Sequence, residues 1–247
     1  MSDRDQTSVF LSVVFPVYNK EAQIAASLDA TVAYLAGKPF AAEVIVVDDG
    51  SSDRTADAAR AALPGRIPQR VIRREVNRGK GASVREGVLA ASGEVILFSD
   101  DDLSTPIGEL DKLLAALQAG ADVAIGSRAL PGSVIEVRQG RPRELMGKAF
   151  NRLVRLLVLK GYRDTQCGFK AFRRAAAMDI FSRLRTDGFA FDVEILVLCR
   201  ELGYRVAEVP VVWRDSRPSR VRLFRGSLAM IMELLRIRRF ARRSRKG

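Results

Sequence analysis

The chain has 247 residues, 41 Lys and Arg against 29 Asp and Glu, no histidine and a formal charge of +12, a length that builds one large α/β domain or two small ones around a real core. Apolar residues make up 47% and mean hydropathy is near zero, as in a globular chain; the missing histidine excludes Ser-His-Asp hydrolysis and His-ligated zinc. Two cysteines, Cys167 and Cys199, are too few for a disulfide framework and fit a reducing, cytoplasmic compartment, while the positive excess asks for an anionic partner: nucleic acid, a nucleotide diphosphate or an acidic lipid surface.

Residues 1–8 form a polar tail, which argues against a signal peptide. No window reaches 18 consecutive apolar residues, so no transmembrane helix is expected and a membrane would be met at its surface. Leu11 to Tyr18 is the first apolar run, with Pro16 placing its end in a bend rather than mid-sheet. Residues 19–36 follow with Ile24, Ala25, Leu28, Val32 and Leu35 at helical spacing. Glu43 to Asp49 is a second strand that ends in two carboxylates; Gly50 to Asp53 gives a turn and cap, and 54–62 a helix. Residues 70–76 make a weaker third strand near an edge, and Asn77-Arg-Gly-Lys-Gly81 opens a helix over 82–91. Val95 to Phe98 is a buried strand running into Asp100-Asp101-Asp102, followed by a helix over 107–119 and a strand over 122–128. This alternation of strand and helix predicts a doubly wound, mostly parallel sheet.

The rhythm stops at Ala129. Residues 129–142, with Pro131, Gly132, Gly140 and Pro142, read as a loop. Residues 144–160 read as a cationic amphipathic helix, 168–173 as a short strand, 174–184 and 192–202 as helices, and 204–213 as a final strand interrupted by Pro210. From Gly226 an amphipathic helix carrying Leu228, Ile231, Met232 and Leu235 runs into seven cations within eleven residues, 236–246. The expected division is a tail (1–8), one catalytic domain (9–225) and a basic C-terminal helix and tail (226–247). The last piece suits an anionic membrane surface, at about 1 kcal/mol for each cation close to the bilayer.

Extended chain alternates its faces, so Asp100 and Asp102 are expected on one side and Asp101 on the other. An acidic turn with an N-cap at Ser104 accounts for part of this run. Ligands of open α/β sheets bind at the carboxyl ends of strands, however, and paired carboxylates there repel unless a cation lies between them. A divalent metal on Asp100 and Asp102 is the sharper reading. If the strands ending at Asp48-Asp49 and Asp100 are neighbours, both acidic ends meet in one crevice, where Asp48 or Asp49 can accept hydrogen bonds from a base or a ribose. Gly79-Lys80-Gly81 is not a phosphate loop, because Arg74 and Val84 stand where that motif and the dinucleotide fingerprint need glycine; Lys80, at a helix start, can still touch a phosphate. Arg128, Arg143, Arg214 and Arg220 fall in loops or strand ends where guanidinium forks can grip phosphate oxygens. Asp192 and Glu194 stand at a helix start, where acids also favour the dipole.

These residues resemble the family 2 glycosyltransferases, in the branch that holds the dolichyl-phosphate glucosyl- and mannosyltransferases. The matching stretches are Phe15-Pro-Val-Tyr-Asn19 with Glu21, Val47-Asp-Asp-Gly-Ser-Ser-Asp53, Asn77 to Gly81, Asp100-Asp-Asp-Leu-Ser104 and Gly126-Ser-Arg128. Asp164-Thr-Gln-Cys-Gly-Phe-Lys170, Phe191-Asp-Val-Glu194 and Val209-Pro-Val211 follow in order, and two of these look closer to the glucosyl branch. Asp101 departs from the pattern, standing where the family often has Ala. The resemblance implies a GT-A fold with a Rossmann-like central sheet, a sugar nucleotide donor (UDP-glucose favoured), Mg2+ or Mn2+, a polyprenyl phosphate acceptor and inversion at the anomeric carbon. It places Pro16, Tyr18, Glu21 and Asp48 or Asp49 on the nucleoside, and Asp100 and Asp102 on the metal and the diphosphate; Asn19, Lys80 and Asp101 are expected to line the donor with them. Arg128, Arg143 and Arg214 fall on the acceptor phosphate, with Asp102, Asp192 and Glu194 completing the catalytic set. The implied location is cytoplasmic and peripheral, on the inner face of the membrane.

A cation on Asp100 and Asp102 would neutralise charge on the departing diphosphate. A lipid monophosphate, with a second pKa of about 6, is already a nucleophile at neutral pH and needs no base. The rival readings are a glycosyltransferase with a soluble or polysaccharide acceptor, nucleotidyl transfer on the same sheet, and a non-enzymatic nucleic-acid binder. The last rests on charge alone and gives no reason for aspartates at strand ends, so no nucleic-acid partner is expected.

Overall fold

The computed structural model describes residues 9–63, 65, 67–137, 152, 154, 158, 159, 161–214 and 232–239. Its centre is a seven-stranded sheet in the order β3-β2-β1-β4-β7-β5-β8. The strands are β1 (Leu11–Val17), β2 (Ala42–Asp48), β3 (Gln69–Arg73), β4 (Val95–Ser99), β5 (Val123–Ser127), β7 (Phe169–Arg173) and β8 (Val206–Pro210). All neighbours run parallel except at β7, which lies antiparallel between β4 and β5. The mostly parallel α/β reading therefore holds, with one reversed strand. β3 is the edge strand, as its weak apolar pattern suggested.

Central strands bury both faces, and alternation along each sorts its residues between two cores. Val13, Phe15, Val44, Val46 and Leu97 face one core with α1 (Ile24–Ala36), α2 (Thr55–Ala62) and α4 (Leu110–Gln118). Val14, Ile45, Val47, Ile96 and Phe98 face the other with α3 (Lys80–Ala90), α5 (Arg174–Arg183) and α6 (Phe191–Glu201). Leu234 and Ile237 of the C-terminal helix, residues 232–239, join this second core. Each such side chain contributes about 1.5–3 kcal/mol on burial.

Three expectations change. Pro16 lies inside β1, opposite Val47, rather than in a bend; pairing of β1 with β4 stops at Val14 and Phe98, so the missing N–H of Pro16 lies beyond that ladder. The loop over 129–142 contains a strand, β6 (Val134–Val137), in its described part. The final strand is two: after Pro210 the chain leaves the main sheet, and β9 (Val212–Arg214) pairs with β6 in a separate parallel ribbon. Arg143, Arg220, the tail 1–8, the boundary near 225 and most of the helix over 144–160 lie outside the described residues.

Helix α3 reaches the sheet at Gly87. A Cβ there would meet Val14 Cγ1 at 2.4 Å and Val47 Cγ2 at 3.0 Å. Helix propensity favours Gly87→Ala by about 1 kcal/mol, whereas overpacking costs about 1–3 kcal/mol. Because β1 and β2 are fixed on both sides, overpacking wins, and the urea midpoint of Gly87→Ala is expected to fall; a rise would show that α3 has room to shift.

Candidate active site

The sheet changes its direction of winding between β1 and β4, since β2 and β3 build outward on one side and β4 on the other. The crevice at such a point lies at the carboxyl ends of the strands. β2 and β4 are not neighbours; β1 stands between them, so their acidic ends flank the end of β1.

On the β2 side, Asp48 is fully buried. Its Oδ1 accepts from the Ser51 N–H at 3.0 Å and from the Ser51 hydroxyl. Its Oδ2 has no hydrogen-bond partner among the described residues, and the half-exposed Arg73 brings Nε to 3.7 Å. Asp49 is fully engaged: Oδ1 accepts from the Arg78 N–H (2.9 Å) and Arg74 Nη1 (3.1 Å), and Oδ2 from the Gly79 N–H (2.8 Å). Of the two acids that the sequence left as alternatives, Asp49 fixes the 77–79 loop and Asp48 keeps an oxygen that has the Arg73 charge nearby but no hydrogen bond among the described residues. Gly79 sits at φ +111°, and a Cβ there would lie 2.4 Å from the Asp187 carbonyl oxygen, so close backbone approach by itself requires this glycine.

The end of β1 is tied to the same turn. Asn19, at φ +53°, accepts at Oδ1 from the Ser52 N–H at 2.8 Å and donates its own N–H to Ser51 Oγ at 2.8 Å. Glu21 accepts from the Arg54 N–H (3.2 Å) and Nε (2.8 Å) at the start of α2. Pro16 is buried, and Tyr18 is exposed at the rim.

After β4 the chain turns at Asp101 and Asp102, so strand alternation ends at Ser99 and does not place the triplet. Each aspartate has its own partner. Asp100 Oδ1 accepts from Lys80 Nζ at 2.5 Å, Asp101 pairs with Lys20 Nζ at 3.2 Å, and Asp102 Oδ1 accepts from the Ser104 N–H at 2.9 Å. Burial, and then the neighbouring Asp100 and Asp102, push the Asp101 carboxyl up to about 6 against the opposing pull of Lys20. Burial works against the Lys80 ammonium, but Asp100, Asp192 and Asp101 together raise its pKa. Gly168 of the segment entering β7 packs on this corner: a Cβ would fall 2.2 Å from both Asp100 carboxylate oxygens.

Arg128 closes as a fork on the buried Asp164, Nε to Oδ2 at 2.6 Å and Nη2 to Oδ1 at 2.9 Å, and its guanidinium lies 5.5 Å from the Trp213 ring centre. Burial alone would raise the Asp164 carboxyl, but Arg128 holds it below the usual range. Arg214 is half-exposed and pairs with Glu136 of β6. At the start of α6 the two acids differ. Glu194 accepts from the Arg185 and Thr186 N–H groups at 3.2 and 2.7 Å, fixing the preceding loop. Asp192 pairs with the fully buried Lys170, and its carboxyl is raised by burial while Lys170 and Lys80 pull it back. The sequence named no role for Lys170, Asp164, Lys20 or Arg74. The one available signal was a lysine inside the apolar run Phe169-Lys-Ala-Phe172.

A family model described as Glycosyl transferase family 2 matches residues 12–181. The chain belongs to glycosyl transferase family 2. It is an enzyme that transfers glycosyl groups, and within the family it is similar to the dolichyl-phosphate beta-glucosyltransferases of Drosophila melanogaster (40% identical over 94% of this chain and 76% of the relative) and Homo sapiens (38%, 95% and 76%). Among solved structures it resembles glucosyl-3-phosphoglycerate synthase from Mycobacterium tuberculosis in complex with uridine-diphosphate, with 25% identity, a TM-score of 0.70, and 93% of this chain and 80% of that one covered. The same synthase with Mg2+ and uridine-diphosphate matches at a TM-score of 0.68, 25% identity, and coverage of 93% and 79%. The GT-A expectation for this family 2 chain is met by that likeness together with its own sheet order.

The raised Asp101 carboxyl has a consequence for stability. Below about pH 4 this group is protonated whether the chain is folded or not. Between there and about 6 only the unfolded chain releases the proton, so folding stability falls across that window and stays lower above it. Asp101→Asn is expected to raise folding stability at pH 7.5 by something on the order of 2 kcal/mol, read as a higher urea midpoint, with the gain fading towards pH 4. Equal midpoints at both pH values would remove the buried, crowded charge on Asp101.

Proposed function

We propose that this family 2 enzyme transfers glucose from UDP-glucose to a polyprenyl phosphate, with inversion at the anomeric carbon. The observation that carries the reading is the crevice at the winding change, with Asp48 Oδ2, buried without a hydrogen bond among the described residues, on one side and the Asp100–Lys80 pair on the other. Its support in sequence is 38–40% identity to the dolichyl-phosphate beta-glucosyltransferases of Homo sapiens and Drosophila melanogaster. A β-linked product from an α-linked sugar nucleotide is inversion.

The base and ribose rest against Pro16, Tyr18, Asn19 and Glu21, with Asp48 Oδ2 accepting a base N–H once the half-exposed Arg73 gives way. The diphosphate draws Lys80 away from Asp100. Asp100 and Asp102 offer hard oxygen donors there, and no group of three His, Cys, Asp or Glu converges among the described residues. That donor set fits Mg2+ or Mn2+, which complete their shells from substrate phosphate and water. Bound on these carboxylates, such a cation supplies charge neutralisation to the leaving diphosphate. Arg128, held by Asp164, and Arg214 position the acceptor phosphate, and Arg143 belongs with them by sequence. An acceptor oxygen attacks C1 as the bond from C1 to the diphosphate oxygen breaks, releasing UDP; no proton need be removed from a dianionic acceptor. Asp192 orients the sugar hydroxyls, while Glu194 shapes the loop before it.

An anionic membrane surface suits the basic C-terminal run and keeps the enzyme peripheral, on the cytoplasmic side. No helix among the described residues is long and apolar enough to cross a membrane. A second reading, a small soluble phosphorylated acceptor, is favoured by the likeness at 25% identity to glucosyl-3-phosphoglycerate synthase in complex with phosphoglyceric acid.

The deciding assay is release of nucleoside diphosphate from a panel of sugar nucleotides, with and without polyprenyl phosphate. Fastest release from UDP-glucose, dependent on the lipid, is expected; equal release with phosphoglyceric acid alone would favour the second reading. Asp102→Asn is expected to lower kcat by at least about 100-fold without moving the urea midpoint, and to lose Mn2+ binding in the presence of UDP by calorimetry. Wild-type turnover and Mn2+ binding in that variant would take Asp102 out of the metal site.

A further inference from the structure

Lys170 is fully buried on β7, a strand paired on both sides by β4 and β5. Its neighbours Phe169, Ala171 and Phe172 are buried and apolar. The ammonium donates to the Asp192 carboxylate and, at 2.7 Å, to the Cys167 carbonyl, and it lies 5.3 Å from the centre of the Phe98 ring. An ion pair taken fully out of water is commonly no more stable than apolar side chains of the same volume, so packing does not explain a lysine here.

Its partner explains it. Asp192 opens α6 and faces Lys170 from β7, Lys80 from α3 and Asp100 from the end of β4. Lys80 is in contact with Asp100, which leaves Lys170, among the described residues, as the cation in direct contact with Asp192. β7 runs antiparallel to β4 with Phe98 opposite Lys170, so the reversed strand delivers the ammonium from beneath the crevice.

We propose that Lys170 is a positioning residue for glycosyl transfer: its buried ammonium holds the Asp192 carboxylate charged and in one orientation against the sugar. The inference rests on the role given to Asp192 above. It does not depend on which sugar or acceptor is used, because the test employs whichever pair the wild-type enzyme turns over fastest in the panel.

Wild type, Lys170→Met, Lys170→Arg, Asp192→Asn and the double variant Lys170→Met/Asp192→Asn are compared for kcat, donor KM and urea midpoint. Lys170→Met is expected to lower kcat about 100-fold with donor KM changed less than about threefold, and Lys170→Arg to recover to within about tenfold of wild type. In the Asp192→Asn background, Lys170→Met is expected to change kcat less than about threefold, because the residue acts through a carboxylate no longer there. A purely structural lysine would instead cost the same factor in both backgrounds, and that result overturns the proposal. So does wild-type kcat in Lys170→Met. Wild-type kcat in Asp192→Asn would remove the role of Asp192, and this inference with it, while leaving the transfer activity intact. If Lys170→Met does not fold, the double variant, which carries neither buried charge, is set against Asp192→Asn: equal kcat supports the proposal and a deficit of tenfold or more overturns it.

Discussion

Carboxylates crowd the carboxyl edge of the central sheet, and five of them face a cation brought in from another segment of the chain. Asp48 has Arg73 of β3, Asp49 has Arg74, Asp100 has Lys80 of α3, Asp101 has Lys20 beyond β1, and Asp192 has Lys170 of β7. Unpaired, such charges would repel one another by several kcal/mol at the dielectric of a protein surface. The pairing therefore does more than decorate the edge: it ties the end of β2 to the end of β3, and the end of β4 to α3 and to the segment that follows β1. Several of these contacts join residues far apart in sequence, and an arriving anion can compete for the same cations. On the proposed function, the positive charges that hold the edge in shape are the ones that would bind the donor's diphosphate.

Topology decides which cations arrive. Had the sheet been wholly parallel, β7 would deliver its other end to the crevice, and neither Gly168 nor Lys170 would stand beside Asp100 and Asp192. The reversed strand instead brings the Gly168 backbone against Asp100, whose N–H donates to the Gly168 carbonyl at 2.9 Å. The small ribbon of β6 and β9 does similar work beyond β5. It places Arg214 next to Glu136, while the Arg214 N–H reaches the Ser104 carbonyl at 2.7 Å, two residues beyond Asp102.

A fold shared by many transferases does not by itself name a substrate. What distinguishes this crevice is its chemistry: hard oxygen donors, lysines and arginines already paired, and no imidazole anywhere in the chain. Such a set is suited to holding and releasing phosphates more than to moving protons. A phosphate nucleophile, ionised before it arrives, makes the smallest demand on it.

The sequence by itself determined the strand and helix rhythm, because side chains of central strands must be apolar on both faces and those of flanking helices on one. It also placed the acids at strand ends, since nothing else in an apolar run can carry them, and its motifs carried the family. Only the tertiary structure decided partners. Strand alternation could not carry past Ser99, because the chain turns at Asp101. Asp48 and Asp49 looked equivalent until folding set a loop of N–H donors around one of them. Glu194 and Asp192 stood side by side at a helix start until folding set the backbone of Arg185 and Thr186 against one and Lys170 against the other. Lys170, an isolated cation within an apolar strand, acquired its meaning only when α6 laid Asp192 across it. Pairings of this kind depend on which distant segments the sheet brings side by side, and no local pattern of residues encodes that order.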